Sequence, residues 1–251
     1  MTIQEAEEKL ENYLLHGLQA ELHWAKEARA VAMVVGNHSQ RTNNTRFRFL
    51  FGRLQEVFSE RETLSVAKIF DRPNRRNPIR SISTTLDLLE EHADLWNLRE
   101  RDFLENFLHK NGYCSMSEKT DREISIAVVE VYKSNLPLAT KKDSCQLSNS
   151  LDAVLQSRDK VHAHNEAVLA SERTLPSWKD TKVLIDYAED FIGTIIRCFL
   201  GIAYIVNEPN LISKHLEQLM AVSNLVNEEY KSEQRNLWVV ERLRKELFES
   251  N

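Results

Sequence analysis

The sequence predicts an all-α protein, a bundle of long antiparallel helices. Three observations carry that expectation. Apolar residues recur at steps of three, four and seven through most of the chain. Only 6 Gly and 5 Pro stand among 251 residues, so few, long elements are expected. The one strongly β-branched run, IAVVEVY at 126–132, has no second strand to pair with and reads as helix.

The elements follow in order. Over residues 2–35, Ile3, Leu10, Leu14, Leu18, Leu22, Ala25, Ala28 and Ala32 keep one apolar side, with Trp24 near the middle. Thr2 followed by Glu5 forms a capping box, and Gly36-Asn37 supplies the stop. Residues 37–46, NHSQRTNNTR, read as a polar loop. Thr45 caps a helix carrying Phe47, Leu50, Phe51, Leu54 and Phe58 on one side, which continues to Phe70 after a bend near Ser59. DRPNRRNP, residues 71–78, is an irregular connection. Ser81 or Ser83 caps the next helix, whose buried face holds Ile82, Leu86, Leu89 and Ala93 or Trp96. A short helix over 98–108 ends at Asn111-Gly112. Ser117, Thr120 and Asp121 offer caps for a helix over 122–133, which Pro137 breaks. Residues 149–168 form the next helix. Residues 179–206 then make a long one with apolar residues on more than one face, central or at a subunit interface, ended by Pro209. Helices over 211–226 and 234–247 are heavily charged. The expected organisation is one helical domain over 1–208, with 209–251 as a C-terminal extension packed on it.

Composition sets limits on function. With 42% hydrophobic and 28% charged residues the chain can bury a core and stay in solution. A net charge of −5 excludes a wholesale polyanion binder, so any nucleic-acid contact must be a local basic patch. Arg72, Arg75, Arg76 and Arg80 are the evident candidates. They read either as a solvated loop or as a loop whose guanidinium groups contact phosphates. Cys114, Cys145 and Cys198 are far apart and odd in number, which points to a reducing cytoplasm and no disulfide framework. The opening MTIQEAEEKLENY is unlike a signal peptide, and the longest apolar run, 191–206, is interrupted by Arg197 and short for a bilayer. No membrane association is expected. The chain has no Gly-rich phosphate loop.

The one dense cluster of ionisable groups lies in the 149–168 helix. Leu147, Leu151, Val154, Leu155, Val161 and Val168 make an apolar stripe, and Arg158 falls on it. Asp159, His162 and His164 follow. At about 100° per residue, His162 and Asn165 return close to the azimuth of Arg158, and His164 falls roughly 120° away. Histidine moves a proton near neutral pH, and arginine holds a phosphate or its pentacoordinate transition state. Together they suffice to cleave RNA by attack of its own 2′-hydroxyl on the adjacent phosphate, without a metal or another cofactor. Two copies of the helix facing one another would double the set. Zinc binding is a poor fit, because an i, i+2 histidine pair splays the rings and H-E-x-x-H is absent. A hydrolase triad lacks its G-x-S-x-G. An Arg158–Asp159 or inter-helix salt bridge with surface histidines would give the same letters.

RDKVHAHN, residues 158–165, resembles the R-x4-6-H motif of HEPN domains, in which a polar residue follows the arginine. Arg158, Asp159 and His164 match those positions. Arg-Asp-Lys followed by Ala-His is similar to the abortive-infection U type of HEPN protein. So is IFDRPNRRNPIRSISTTLDLL at 69–89, which resembles that type's Asp-Pro loop and Ser-capped helix, although here Arg72 separates Asp71 from Pro73. The likeness spans roughly residues 5–205. It implies an all-α bundle, often a homodimer with both motif helices lining one cleft. It also implies metal-independent ribonuclease activity in toxin–antitoxin or anti-phage systems, with an antitoxin protein as a further partner; some members only bind or scaffold. By the resemblance Arg158 stabilises the phosphate, His164 is general acid or base, and Asp159 orients one of them. His162 is the second choice, favoured by helix geometry. Arg72, Arg75, Arg76, Arg80 and Asn165 are the expected RNA contacts.

Overall fold

The computed structural model describes residues 1–72, 79–114, 116–136, 146–159, 176–204, 214, 216–221 and 228–238. Every regular element among them is helical. The chain divides into two compact units, residues 1–26 with 60–208 and residues 27–59 with 209–251. No helix among the described residues is long and apolar enough to cross a membrane.

The first unit opens with α1, Ile3–Tyr13, whose N-terminus is closed by the expected capping box: Glu5 N donates to Thr2 Oγ1 at 3.2 Å and Thr2 N to Glu5 Oε2 at 2.7 Å. The helix continues through a π turn, Leu14–Leu18, into α2, Gln19–Asn37. Sequence spacing explains the π turn. Ala6, Leu10, Leu14, Leu18 and Leu22 are all buried at steps of four. In a regular α-helix four such steps drift by about 160°, and one extra residue in a widened turn takes back about 100° of that. The stripe therefore stays on one core. Ile3 and Trp24 depart from expectation: Ile3 is exposed at the first turn, and half-exposed Trp24 lies under the Arg61 guanidinium, 5.2 Å from its ring centre.

Helix α3, Ser39–Thr42, interrupts what the sequence presented as loop. Helix α4, Arg48–Ile69, then runs without a break at Ser59, where a bend was expected. Helix α5, Ile82–Glu91, is capped by Ser81 with Thr84 in the reciprocal position. Helix α6, Arg101–Lys110, ends at Asn111 and Gly112, the glycine at φ +91°. The β-branched run does form a helix, α7, Asp121–Asn135, started by a Thr120–Glu123 capping box. Burial of Ile124, Val128, Val131 and Tyr132 along one stripe overrides strand preference there. Helix α8 is Gln146–Ser157 and α9 is Trp178–Ile195.

Helix α9 is central to the first unit. Leu184, Ala188, Phe191, Ile192 and Ile195 are fully or nearly fully buried in its core, with α1, α5, α6, α7 and α8 contributing to the same cluster. A second π turn, Ile196–Leu200, follows, and Gly201 at φ +68° ends the element. The long helix thus stops before the Pro209 expected to end it. An L side chain is strained at that φ, and the Arg99 stem packs 3.0 Å from where a Cβ would stand. Arg99 N donates to the Cys198 carbonyl at 2.8 Å, and burial pushes the Cys198 thiol up to about 12.

The second unit has a small core of Val34, Val35, Phe51 and Met220, against which Phe47, Leu54 and Leu216 pack. Leu50, expected on that buried side, is 54% exposed. Residues 216–221 and 228–238 are helical.

Candidate active site

Helix α8 places Arg158 through its apolar stripe. Leu151 and Val154 are buried, Leu147 and Leu155 are partly buried against the same core, and Arg158 continues that spacing at the helix end. There the backbone widens to π geometry at 158–159. The helix is also pinned: buried Ser150 donates to Asp180 Oδ1 at 2.8 Å, and Asp180 belongs to the Ser177 capping box that starts α9. Both helices are thereby fixed next to each other before the arginine projects.

Arg158 is held by two carboxylates. Its Nη1 donates to Asp71 and its Nε to Asp159 Oδ1 at 2.7 Å. Asp71 leaves the end of α4 directly after Phe70, which is 1% exposed and faces the Tyr187 ring with 6.0 Å between centroids. The core thus fixes Phe70, and Phe70 fixes Asp71. The Arg158 and Asp71 side chains are each 24% exposed, so the pair is shielded but reachable from solvent. Burial works against the Arg158 charge; the hydrogen bonds to Asp159 and Asp71 more than offset it and hold its pKa above the ordinary value. Among the described residues Nη2 has no partner. The salt bridges that the letters allowed are therefore present, to Asp159 and across to Asp71.

His162, His164 and Asn165 lie outside the described residues, as do Arg75 and Arg76. Arg72 is exposed and follows Asp71 in the chain. Arg80 is engaged elsewhere: its Nη1 donates to the His16 carbonyl in the first π turn at 3.1 Å, and its stem covers Gly17. Asp71 was absent from the expected site. The signal for it was its place in the Asp-Pro loop rather than any local spacing to Arg158.

One cleft in the first unit, about 300 Å³, is lined by Gln19, His23, Lys26, Glu189 and Tyr204 among others. Its strongest charges satisfy each other, with Lys26 Nζ 2.9 Å from Glu189 Oε1.

The all-helical chain, with an arginine at a helix end clasped by an Asp from the upstream Asp-Arg-Pro loop, fits one family. The family model HEPN_AbiU2, described as AbiU2, matches residues 7–219. The chain belongs to this AbiU2 family of HEPN proteins. No curated protein and no solved structure matches it. The AbiU2 match takes in both α4, which delivers Asp71, and α8, which delivers Arg158. It also runs past residue 205, where the likeness ended, into the C-terminal segment of this AbiU2 chain's second unit.

Proposed function

We propose that the protein is a metal-independent endoribonuclease acting in bacterial phage defence or a toxin–antitoxin system, with a composite site at a homodimer interface. The observation that carries this reading is Arg158: a shielded guanidinium fixed by Asp71 and Asp159, with no partner on Nη2 among the described residues. A fixed donor aimed where charge develops stabilises a transition state without reorganising. In the proposed reaction a 2′-hydroxyl gives its proton to a base and its oxygen attacks the adjacent phosphorus. Nη2 of Arg158 donates to a non-bridging oxygen as negative charge builds. The 5′-oxygen leaves with a proton from an acid, giving a 2′,3′-cyclic phosphate and a 5′-hydroxyl. His164 is the acting acid or base, with His162 as second choice, and the partner protomer supplies the complementary histidine. Asp159 and Asp71 are positioning residues that hold the arginine.

A second reading has its own support. Two carboxylates on one guanidinium leave the trio with a net charge of −1, which repels phosphate. That favours a catalytically silent HEPN scaffold that binds RNA or an antitoxin-like protein elsewhere.

Incubation with total tRNA and a structured RNA in EDTA, followed by end-group analysis, separates the two. The nuclease reading expects fragments ending in a 2′,3′-cyclic phosphate, lost in Arg158→Ala and in His164→Ala at unchanged folding. Full cutting by both variants would remove these residues from the mechanism. Binding without cutting would leave the silent scaffold.

A further inference from the structure

We infer that the second unit carries a binding platform for single-stranded RNA, built from Arg46, Arg48, Phe49 and Arg53 around the start of α4 and from Tyr230. The choice of RNA as the strand rests on the proposed function; the platform rests on charge, exposure and stacking.

Charge comes first. Residues 28–55 contain Arg29, Arg41, Arg46, Arg48 and Arg53 and no Asp or Glu, in a chain whose net charge is −5. Such a segment is locally basic, and the 228–238 helix that supplies Tyr230 sets Lys231 and Arg235 against Glu228, Glu229 and Glu233. Exposure comes next. The buried face of this part of α4 is Phe47, Phe51 and Leu54, which pack in the second unit's core. That leaves Arg46, Arg48 and Arg53 exposed, together with Phe49 at 75% and Leu50 at 54%. A lone exposed apolar residue needs no explanation. An aromatic ring left three-quarters exposed among arginines, where the other face already fills the core, is a different matter.

Stacking decides the partner. The Arg48 guanidinium lies 4.6 Å from the Phe49 ring centre, and that of Arg46 lies over the rings of Phe47 and Tyr230, at 5.0 and 4.9 Å. Lys231 Nζ donates to the Asn44 carbonyl at 3.5 Å and ties the same loop to the 228–238 helix. The planar groups are thus held before any ligand arrives, which lowers the ordering cost of binding. Unstacked bases add to exposed aromatic rings, and phosphates pair with exposed guanidinium groups. A duplex hides its base faces and offers none of this stacking. Arg53 is paired with Glu56 at 2.5 Å, an exposed contact weak enough to yield to a phosphate.

The test uses the full chain carrying Arg158→Ala, so that the probe is not cut. Binding of a labelled, unstructured RNA of about 15 nucleotides is measured by fluorescence anisotropy over a salt series, beside the same sequence as a duplex. The platform expects Phe49→Ser to weaken binding about tenfold and Phe49→Trp to keep it. Arg46→Ala with Arg48→Ala should flatten the slope of log affinity against log salt by about 0.7 per arginine. It also expects the duplex to bind more weakly and to ignore Phe49→Ser. Full affinity in Phe49→Ser would overturn the platform, as would equal loss on duplex and single strand. So would a change in the free protein's sedimentation in Phe49→Ser with RNA affinity kept, which would make the face a protein contact. A wild-type chain that binds through Phe49 but never cuts would support the platform and remove the nuclease reading. Cutting that depends on Arg158 but not on Phe49 would do the reverse.

Discussion

Arg158 gains its fixed direction from a residue 87 positions earlier in the chain, and that contact carries the sharpest prediction at the scale of single residues. Asp71→Asn keeps the shape and removes the charge that orients the guanidinium. If the site cuts RNA, kcat should fall by about 10–100-fold, because small misplacements of a catalytic group cost that much, while KM stays near its value. The fold should lose only about 1–2 kcal/mol, less than a fully buried pair, since a quarter of each side chain meets solvent. Undiminished kcat in this variant would remove Asp71 from the site. Tighter RNA binding with no cutting in any variant would fit the silent scaffold instead. The Arg158–Asp159 pairing was legible because the two are neighbours in the chain, with Arg158 on the helical stripe. Asp71 was legible as a motif letter but not as the partner, because no periodicity links the end of one helix to the end of another.

Helices here are set by phase and by caps, and both can be tested. Gly17 sits in the first π turn, where an added Cβ would stand 2.6 Å from Arg80 Cβ and 2.7 Å from its Cδ. Gly→Ala inside a helix ordinarily stabilises by up to about 1 kcal/mol. Here the overlap should reverse the sign and destabilise by about 1–3 kcal/mol, read as a lower urea midpoint at constant m. A raised midpoint would mean that Arg80 moves aside freely. The caps respond to acid. Glu123 accepts from the Thr120 backbone N–H and from the Lys119 and Thr120 side chains, which hold its carboxyl down to about 2. Glu5 and Asp180, in the other acidic capping boxes, are also lowered. A carboxyl lowered on folding contributes stability that is present above its ordinary range, near 4.5 for Glu123, and is lost as pH falls through its folded value near 2. Glu123→Gln should therefore lower Tm at neutral pH and make the fall between pH 5 and pH 2 shallower. An unchanged acid profile would count against the cap as its source. Thr2, Ser81 and Thr120 could be read as caps because a cap is a local pattern. The π turns were missed although the steps of four from Ala6 to Leu22 already contained the drift that requires one. Gly201 was passed over for Pro209 because a left-handed terminus depends on what packs against it, here Arg99.

On the scale of the whole molecule, the all-helical class followed from periodicity and scarce turn residues, but the division into units did not. The second unit joins residues 27–59 to 209–251, segments that no local signal relates. The apolar surface of α9 was offered in part as a subunit interface; the structure places it in the first unit's own core. A homodimer now rests on the composite site alone, and sedimentation at micromolar concentration should give twice the chain mass. A monomer that still cuts RNA would overturn the composite arrangement. The charge pattern was hidden for a simple reason. Clustered arginines, as at 72–80, are a local pattern, whereas the basic character of 28–55 lies in carboxylates that are absent over a long stretch.

The sulfur of Cys198 offers a clock. It is wholly enclosed in the turn before Gly201, and its high pKa keeps it from becoming thiolate at neutral pH. Cys114, by contrast, is exposed. An alkylating reagent should mark Cys114 at once and Cys198 only when the central helix end lifts out of the core. The ratio of the two labelling rates then measures how often that happens, residue by residue, in the untouched native chain.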